Sequence, residues 1–167
     1  METTRHFTAT VYLVNDGAAA LHHHPKLGIR IPPGGHVDRD ELPHETAIRE
    51  VYEETGYEVE LLGDAPAVDA PDGRALPTPR YQLCYDIDVG PEGVYHQHID
   101  QVYFARVPHR EIAPAGDDEP GPEAWDWYAP TDLDAEAESD SLGRDTIRIA
   151  KEAVAAAERA DRTRRRK

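Results

Sequence analysis

One short segment constrains this chain more than any other. Residues 45–55, ETAIREVYEET, have helical character, with Pro43 placed to open the helix and Gly56 to close it. At about 100° per residue, setting Glu50 at zero puts Glu54 near 40° and Glu53 near −60°. Three carboxylates therefore share roughly a 100° arc, with Arg49 beside Glu53. Ile48, Val51 and Thr55 fall on the opposite side, which the sequence assigns to the core. Carboxylates this close repel one another and must take up protons or be neutralised by a cation. Hard oxygens suit Mg²⁺ or Mn²⁺, and Mg²⁺ commonly shares its shell with waters and substrate phosphates. The alternative is a solvated acidic helix face.

Strands surround this helix. Phe7 to Val14 is β-branched and aromatic, Asn15-Asp16-Gly17 is a turn, and Ala18 to His23 returns. Ile29 to Gly35 runs into a stiff and then permissive loop, Pro32-Pro33-Gly34-Gly35. Tyr57 to Leu62, Tyr81 to Val89 and Ile99 to Val107 are further strand candidates. Two proline-rich connections, residues 63–80 and 108–122, are long enough to be functional loops. Near the C-terminus, Ser139, Asp140 or Ser141 is placed to cap a helix whose stripe is Ile147, Ala150, Val154 and Ala157. The expected organisation is one domain over residues 1–138, a helix over 139–161 packed on it, and a disordered basic tail over 162–167.

Composition bounds the rest. In 167 residues, 33 Asp and Glu against 18 Lys and Arg give a net charge of −15. Leu, Ile, Val and Phe supply only about 19% of the chain, at the edge of the range that predicts disorder. Periodicity argues that it folds nonetheless. No apolar run is long enough to span a bilayer, and the N-terminus lacks a signal peptide. A single cysteine, Cys84, excludes an internal disulfide framework and is expected in a buried strand. A soluble cytoplasmic protein follows by elimination, and nucleic acid is disfavoured as a partner by the acidic surface. The acidity has two readings: adaptation to high salt, or an ordinary acidic protein.

Spacing sharpens the first observation. The chain reads Gly35, five residues, Glu41, seven residues, Arg49-Glu50-Val51, one residue, Glu53-Glu54, one residue, Gly56. This resembles the signature of the Nudix hydrolase family, and Pro32-Pro33-Gly34-Gly35-His36 is similar to its usual lead-in. Tyr57 stands where an aliphatic residue is usual, and Arg30 where many members carry Trp.

The resemblance implies an α/β (α+β) fold, an α/β/α sandwich around a mixed sheet. It implies Mg²⁺-dependent hydrolysis, with Mn²⁺ as a substitute, of a nucleoside diphosphate linked to another moiety. Glu50 and Glu54 would be the core metal ligands, with Glu53 a further ligand or water activator, and the Gly35 carbonyl joining them. Arg49 would hold a box glutamate in place, and Glu41 would brace the loop–helix junction. The general base would be a box glutamate or an acid of the second long loop: Asp118, Glu119 or Glu123, of which Glu119 is chosen. A homodimer is also in keeping with the resemblance. A non-catalytic nucleotide-binding regulator is the alternative class, though all three box glutamates are retained.

Other residues invite further readings. Arg30, His98 and Trp127 are candidate substrate contacts. His22, His23 and His24 are adjacent, but strand alternation splits them across two faces. His96 and His98 share a face with Asp100, and HQHIDQVY resembles a stretch in Nudix proteins of undefined substrate. Trp125 and Trp127 share a face as a buried pair or a stacking surface.

Overall fold

The computed structural model describes residues 2–139 and 141–164. Its spine is β1 (Thr4–Asn15), which turns through Asp16 and Gly17 into β2 (Ala18–His23). Both turn residues have positive φ, 44° and 74°, the conformation a tight hairpin turn requires. β3 (Arg30–Ile31) and β4 (Gly34–His36) follow, then α1 (Pro43–Thr55). After a long connection come β5 (Tyr81–Gly90) and β6 (Gly93–Arg106). β7 (Trp125–Tyr128), α2 (Pro130–Ala135) and α3 (Arg144–Arg164) complete the chain. The sheet order is β3-β2-β1-β6-β5, with β4 on β1 and β7 on β2. β1 and β6 are parallel and the other pairs antiparallel, so the sheet is mixed.

Strand alternation sorts the core into two layers. Ala9, Val11 and Leu13 of β1 and Tyr103 and Ala105 of β6 pack with Ala47 and Val51 of α1. Tyr12, Val14, Val102 and Phe104 point the other way and pack with Ala150, Ala153, Val154 and Ala157 of α3. This is the expected α/β/α sandwich. Many of these contacts are alanines, which lets backbones approach closely and explains how a chain poor in large aliphatics closes two layers. Fully buried Leu13, Leu21 and Leu133 each contribute about 1.5–3 kcal/mol of burial.

Several expectations are corrected. Residues 57–62 form no strand: they cross β6 through a single bridge, Leu61 to Ala105, and a Leu62 N–H to Phe104 carbonyl bond of 2.7 Å. β5 meets β6 only from Val102 outward, so this segment closes the edge beyond it instead of running along it. Cys84 is exposed, because β5 is an edge strand with neither face fully covered. Ile48 is 38% exposed, while Glu54 is only 5% exposed and lies on the buried side with Ala47 and Val51. The core therefore meets α1 along the row Ala47, Val51, Glu54, one step round from the expected face.

The C-terminal stripe is buried as expected, and it packs against the face of the sheet, where its shallow, alanine-rich make-up suggests a sheet edge or a neighbouring helix. α3 begins at Arg144, later than Ser139 to Ser141, and continues past the expected end at 161 to Arg164. Asp140 and residues 165–167, which carry the rest of the basic tail, lie outside the described residues. Among the described residues no helix is long and apolar enough to cross a membrane.

Candidate functional site

Two glycines seat α1 on the sheet. Gly35 in β4 faces Glu50 so closely that a Cβ there would lie 2.2 Å from Oε1 of that carboxylate and would push it from its place. Gly56 ends the helix in the left-handed region at φ 76°. The second long loop then docks on the helix end: the N–H groups of Ala115 and Gly116 donate to the Glu53 carbonyl at 2.9 and 2.8 Å. At the other end, Glu45 accepts from the Leu42 N–H at 2.8 Å.

Arg49 is the hub. Its Nε donates to Glu41 Oε1 at 2.7 Å and its Nη2 to Glu41 Oε2 at 3.0 Å, a bidentate pair. Its Nη1 donates to Glu50 Oε1 at 2.8 Å and to Glu53 Oε2 at 3.0 Å. Thr46 Oγ1 also donates to Glu41, at 2.7 Å. These hydrogen bonds from Arg49 hold the Glu41 carboxyl below its ordinary range, and Glu41 in turn raises the guanidinium. One side chain thus fixes the loop acid and two helix acids together.

Glu54 stands apart from Arg49. The Gly34 N–H donates to its Oε1 at 2.7 Å, and His22 Nε2 lies 3.4 Å from its Oε2. Burial, reinforced by Glu119, Glu50 and Glu53 and opposed by the Gly34 N–H, pushes its carboxyl up to about 8. Burial raises Glu50 as well, against the pull of Arg49. Glu119 reaches this group from the second loop, and burial followed by repulsion from Glu53 and Asp118 raises it too. Asp118 adopts a positive φ of 66° beside it. Glu123 curls back over Gly121, at the start of the short turn before β7.

His22 is the residue that sequence reasoning did not place here. It is 4% exposed, and its ring lies 4.7 Å from that of Trp125 at an interplanar angle of 31°. Burial, then His24, lowers its imidazole to about 4, so it meets Glu54 as a neutral ring. Alternation along β2 was the available signal, since it turns His22 inward and His23 outward. The other candidates have partners of their own. Arg30 pairs with Asp126 at 2.5 Å and lies over the Tyr128 ring. Trp125 is buried and Trp127 half-buried against the same core layer, with Arg110 over the Trp127 ring. His98 Nε2 faces His36 Nε2.

These residues suit a hard divalent cation. Glu54 is a buried and Glu50 a half-buried carboxylate, the charge of each repels its neighbours, and a cation would relieve that penalty. Among the described residues no three acidic, histidine or cysteine side chains already converge as a complete cage. The fit is therefore to an ion that completes its shell with water and phosphate oxygens, as Mg²⁺ does.

His22→Phe keeps the stack on Trp125 and removes the polar contact to Glu54. Mg²⁺ affinity is expected to fall about 10–100-fold, with His22→Gln restoring part of it. Metal titration followed by thermal shift measures this, and equal affinity in all three proteins would remove His22 from the site.

Comparison with known proteins bears on this geometry. The family profile of the NUDIX domain matches residues 4–148. The chain is 38% identical over 104 residues to an RNA pyrophosphohydrolase of Rhizobium meliloti (strain 1021). That match covers 59% of this chain and 56% of the relative, so the chain spans little more than half of that protein's length. Among solved structures it is similar to a NUDIX-family hydrolase from Clostridium perfringens, at 30% identity and a TM-score of 0.75. This similarity covers 90% of this chain and 97% of that one. It is also similar to a MutT NUDIX hydrolase from Burkholderia pseudomallei, at 25% identity and a TM-score of 0.53, covering 90% and 98% of the two chains. With the profile running from the first strand into α3, and the glutamate box folded as the helix it frames, the chain belongs to the Nudix hydrolase family.

Proposed function

We propose that this chain is a Mg²⁺-dependent pyrophosphohydrolase that cleaves the phosphoanhydride of a nucleoside diphosphate linked to another moiety, with Mn²⁺ able to substitute. The observation that carries the reading is the pairing of Arg49-anchored Glu50 and Glu53 with a separately held, buried Glu54. Glu50 and Glu54 would hold the ion, with the Gly35 carbonyl beside them and Glu53 as a further ligand. Bound there, the ion would neutralise charge on phosphate oxygens and make a water molecule easier to deprotonate.

The chain's own residues do the rest. Arg49 keeps Glu50 and Glu53 from turning away. The Gly34 N–H fixes one oxygen of Glu54, and His22 lies beside the other. Glu119, raised by its surroundings and facing Glu53, would take the proton of the attacking water. A raised carboxyl is a better base for that purpose than a free one. Attack breaks one P–O bond of the P–O–P linkage. The products are a nucleoside monophosphate and either pyrophosphate or a second phosphate-bearing fragment. Trp127 and Arg30 would supply contacts to the rest of the substrate. The net charge of −15 favours a small substrate over a long polyanion.

A hydrolysis screen tests this. It should span ADP-ribose-like nucleotide sugars, nucleoside triphosphates, dinucleoside polyphosphates and an RNA with a 5′-triphosphate end, the last because of the RNA pyrophosphohydrolase relative. Turnover of a small nucleotide is expected with Mg²⁺, lost with a chelator and restored on readdition. Tight binding without turnover of any of them would favour the regulator reading and defeat this one.

A further inference from the structure

Four histidines gather on the sheet surface, on a strand face the glutamate box does not use. His6 and His98 are register partners on the parallel strands β1 and β6, and His96 is the partner of Thr4. His36, from β4, is the partner of Thr8 and leans over the same face. The rings form a closed circuit. Centroids are 5.5 Å apart for His6 and His36, 4.7 Å for His36 and His98, 5.1 Å for His98 and His96, and 4.7 Å for His96 and His6.

Two features of this circuit point to a ligand. First, the Nε2 atoms of His36 and His98 face one another at 3.2 Å. Two imidazole nitrogens bound to one tetrahedral ion at about 2.0–2.1 Å stand about 3.3 Å apart. The two nitrogens share a hydrogen bond at close to that separation, and an ion that replaced the shared proton would draw the rings round until both lone pairs aim at it. Second, His96 Nδ1 lies 2.8 Å from the Thr4 hydroxyl, which is also 3.2 Å from the Tyr95 carbonyl. When Thr4 donates to that carbonyl it accepts from His96 Nδ1–H, and His96 Nε2 then carries a free lone pair. A hydrogen-bonded second nitrogen is the usual outer-shell arrangement of a ligating histidine.

We propose that His36 and His98, joined by His96 or His6, bind a divalent first-row transition-metal ion at a site separate from the box carboxylates. Imidazole nitrogen selects Zn²⁺, Co²⁺, Ni²⁺ or Cu²⁺ over Mg²⁺, whereas the carboxylates of α1 prefer harder ions. Among the described residues no three of these side chains yet converge on one point, so the third ring turns about its side-chain torsions to complete the site. His6 is exposed and His96 half-exposed, which leaves both rings room to turn.

Co²⁺ is the probe, added to the full chain in excess Mg²⁺ so that the carboxylates are occupied. Stoichiometric binding is expected, with the visible absorption of a tetrahedral nitrogen site, and Zn²⁺ should displace it. His98→Ala and His36→Ala should each lose more than the roughly 10–100-fold that removing an outer-shell partner costs. His96→Ala should weaken binding as well. Glu54→Gln should bind Co²⁺ as wild type does, which separates this site from the one proposed for hydrolysis. Melting curves without metal confirm that each variant folds. Binding unchanged in His36→Ala and His98→Ala, or lost in Glu54→Gln, would overturn the proposal.

Discussion

Glu54→Gln is expected to lower turnover by at least about 10²–10³-fold while leaving the metal-free fold as stable as wild type or more so. Glutamine keeps the shape of the side chain and an oxygen for the Gly34 N–H, and removes only the charge. That charge is unfavourable without a cation, because the carboxyl is buried and faces Glu119, Glu50 and Glu53. The pH dependence follows. An ordinary glutamate titrates near 4.5, whereas Glu54 in the fold is pushed up to about 8. Between these values the folded chain holds a proton that the unfolded chain has released, so metal-free stability falls as pH rises through the window. Glu54→Gln lacks that component and should show a flatter profile. Mg²⁺ should raise the melting temperature of wild type by mass action and do little for the variant. Denaturant midpoints across mildly acidic to mildly alkaline pH, with and without Mg²⁺, measure both effects. Wild-type kcat in the variant would remove Glu54 from the proposed metal site.

What could be read from the residues, and what could not, divides along local and tertiary lines. α1 was legible because Pro43, Gly56 and the glutamate spacing are all local signals, and the helix runs as they indicate. The glycine at position 35 was legible as permissiveness, but what it faces, the carboxylate of Glu50, is a tertiary contact. Helical angles also fix which residues share a face without fixing where the core lies. The wheel therefore put Ile48 inside and Glu54 with the exposed acids, when the row through Ala47 and Val51 carries Glu54 inward. That displacement matters chemically, since it gives Glu54 its raised carboxyl. His22 meets Glu54 only because β2 and β4 flank β1 while α1 packs across them. Residues 57–62 have strand-like composition, yet a strand needs an edge along which to run, and β5 already occupies most of that edge of β6. Glu119 was reachable as one of three loop acids, and the docking of residues 115 and 116 on the helix end is the tertiary contact that brings it beside Glu53.

Arg49 carries the second large effect, and Arg49→Lys separates geometry from charge. Lysine keeps the positive charge but presents a single ammonium in place of a planar fork. It cannot engage both oxygens of Glu41 while also reaching Glu50 and Glu53, as Arg49 does at 2.7 to 3.0 Å. The Glu50 carboxylate then loses its orientation toward Gly35, and metal binding loses a prepared ligand. A fall in kcat of about 100-fold is expected, on the scale of removing one positioned electrostatic contact, with a smaller change in KM. Stability should fall by about 1–3 kcal/mol, because partly buried acceptors are left unpaired. Glu41→Gln offers the control. Glu41 is tied to Glu50 and Glu53 through Arg49, so the double variant should be little worse than Arg49→Lys alone. Additive losses in kcat would mean that Glu41 contacts metal or substrate itself. Full activity in Arg49→Lys would mean that charge alone holds the box together, and that the fork seen here is incidental to hydrolysis.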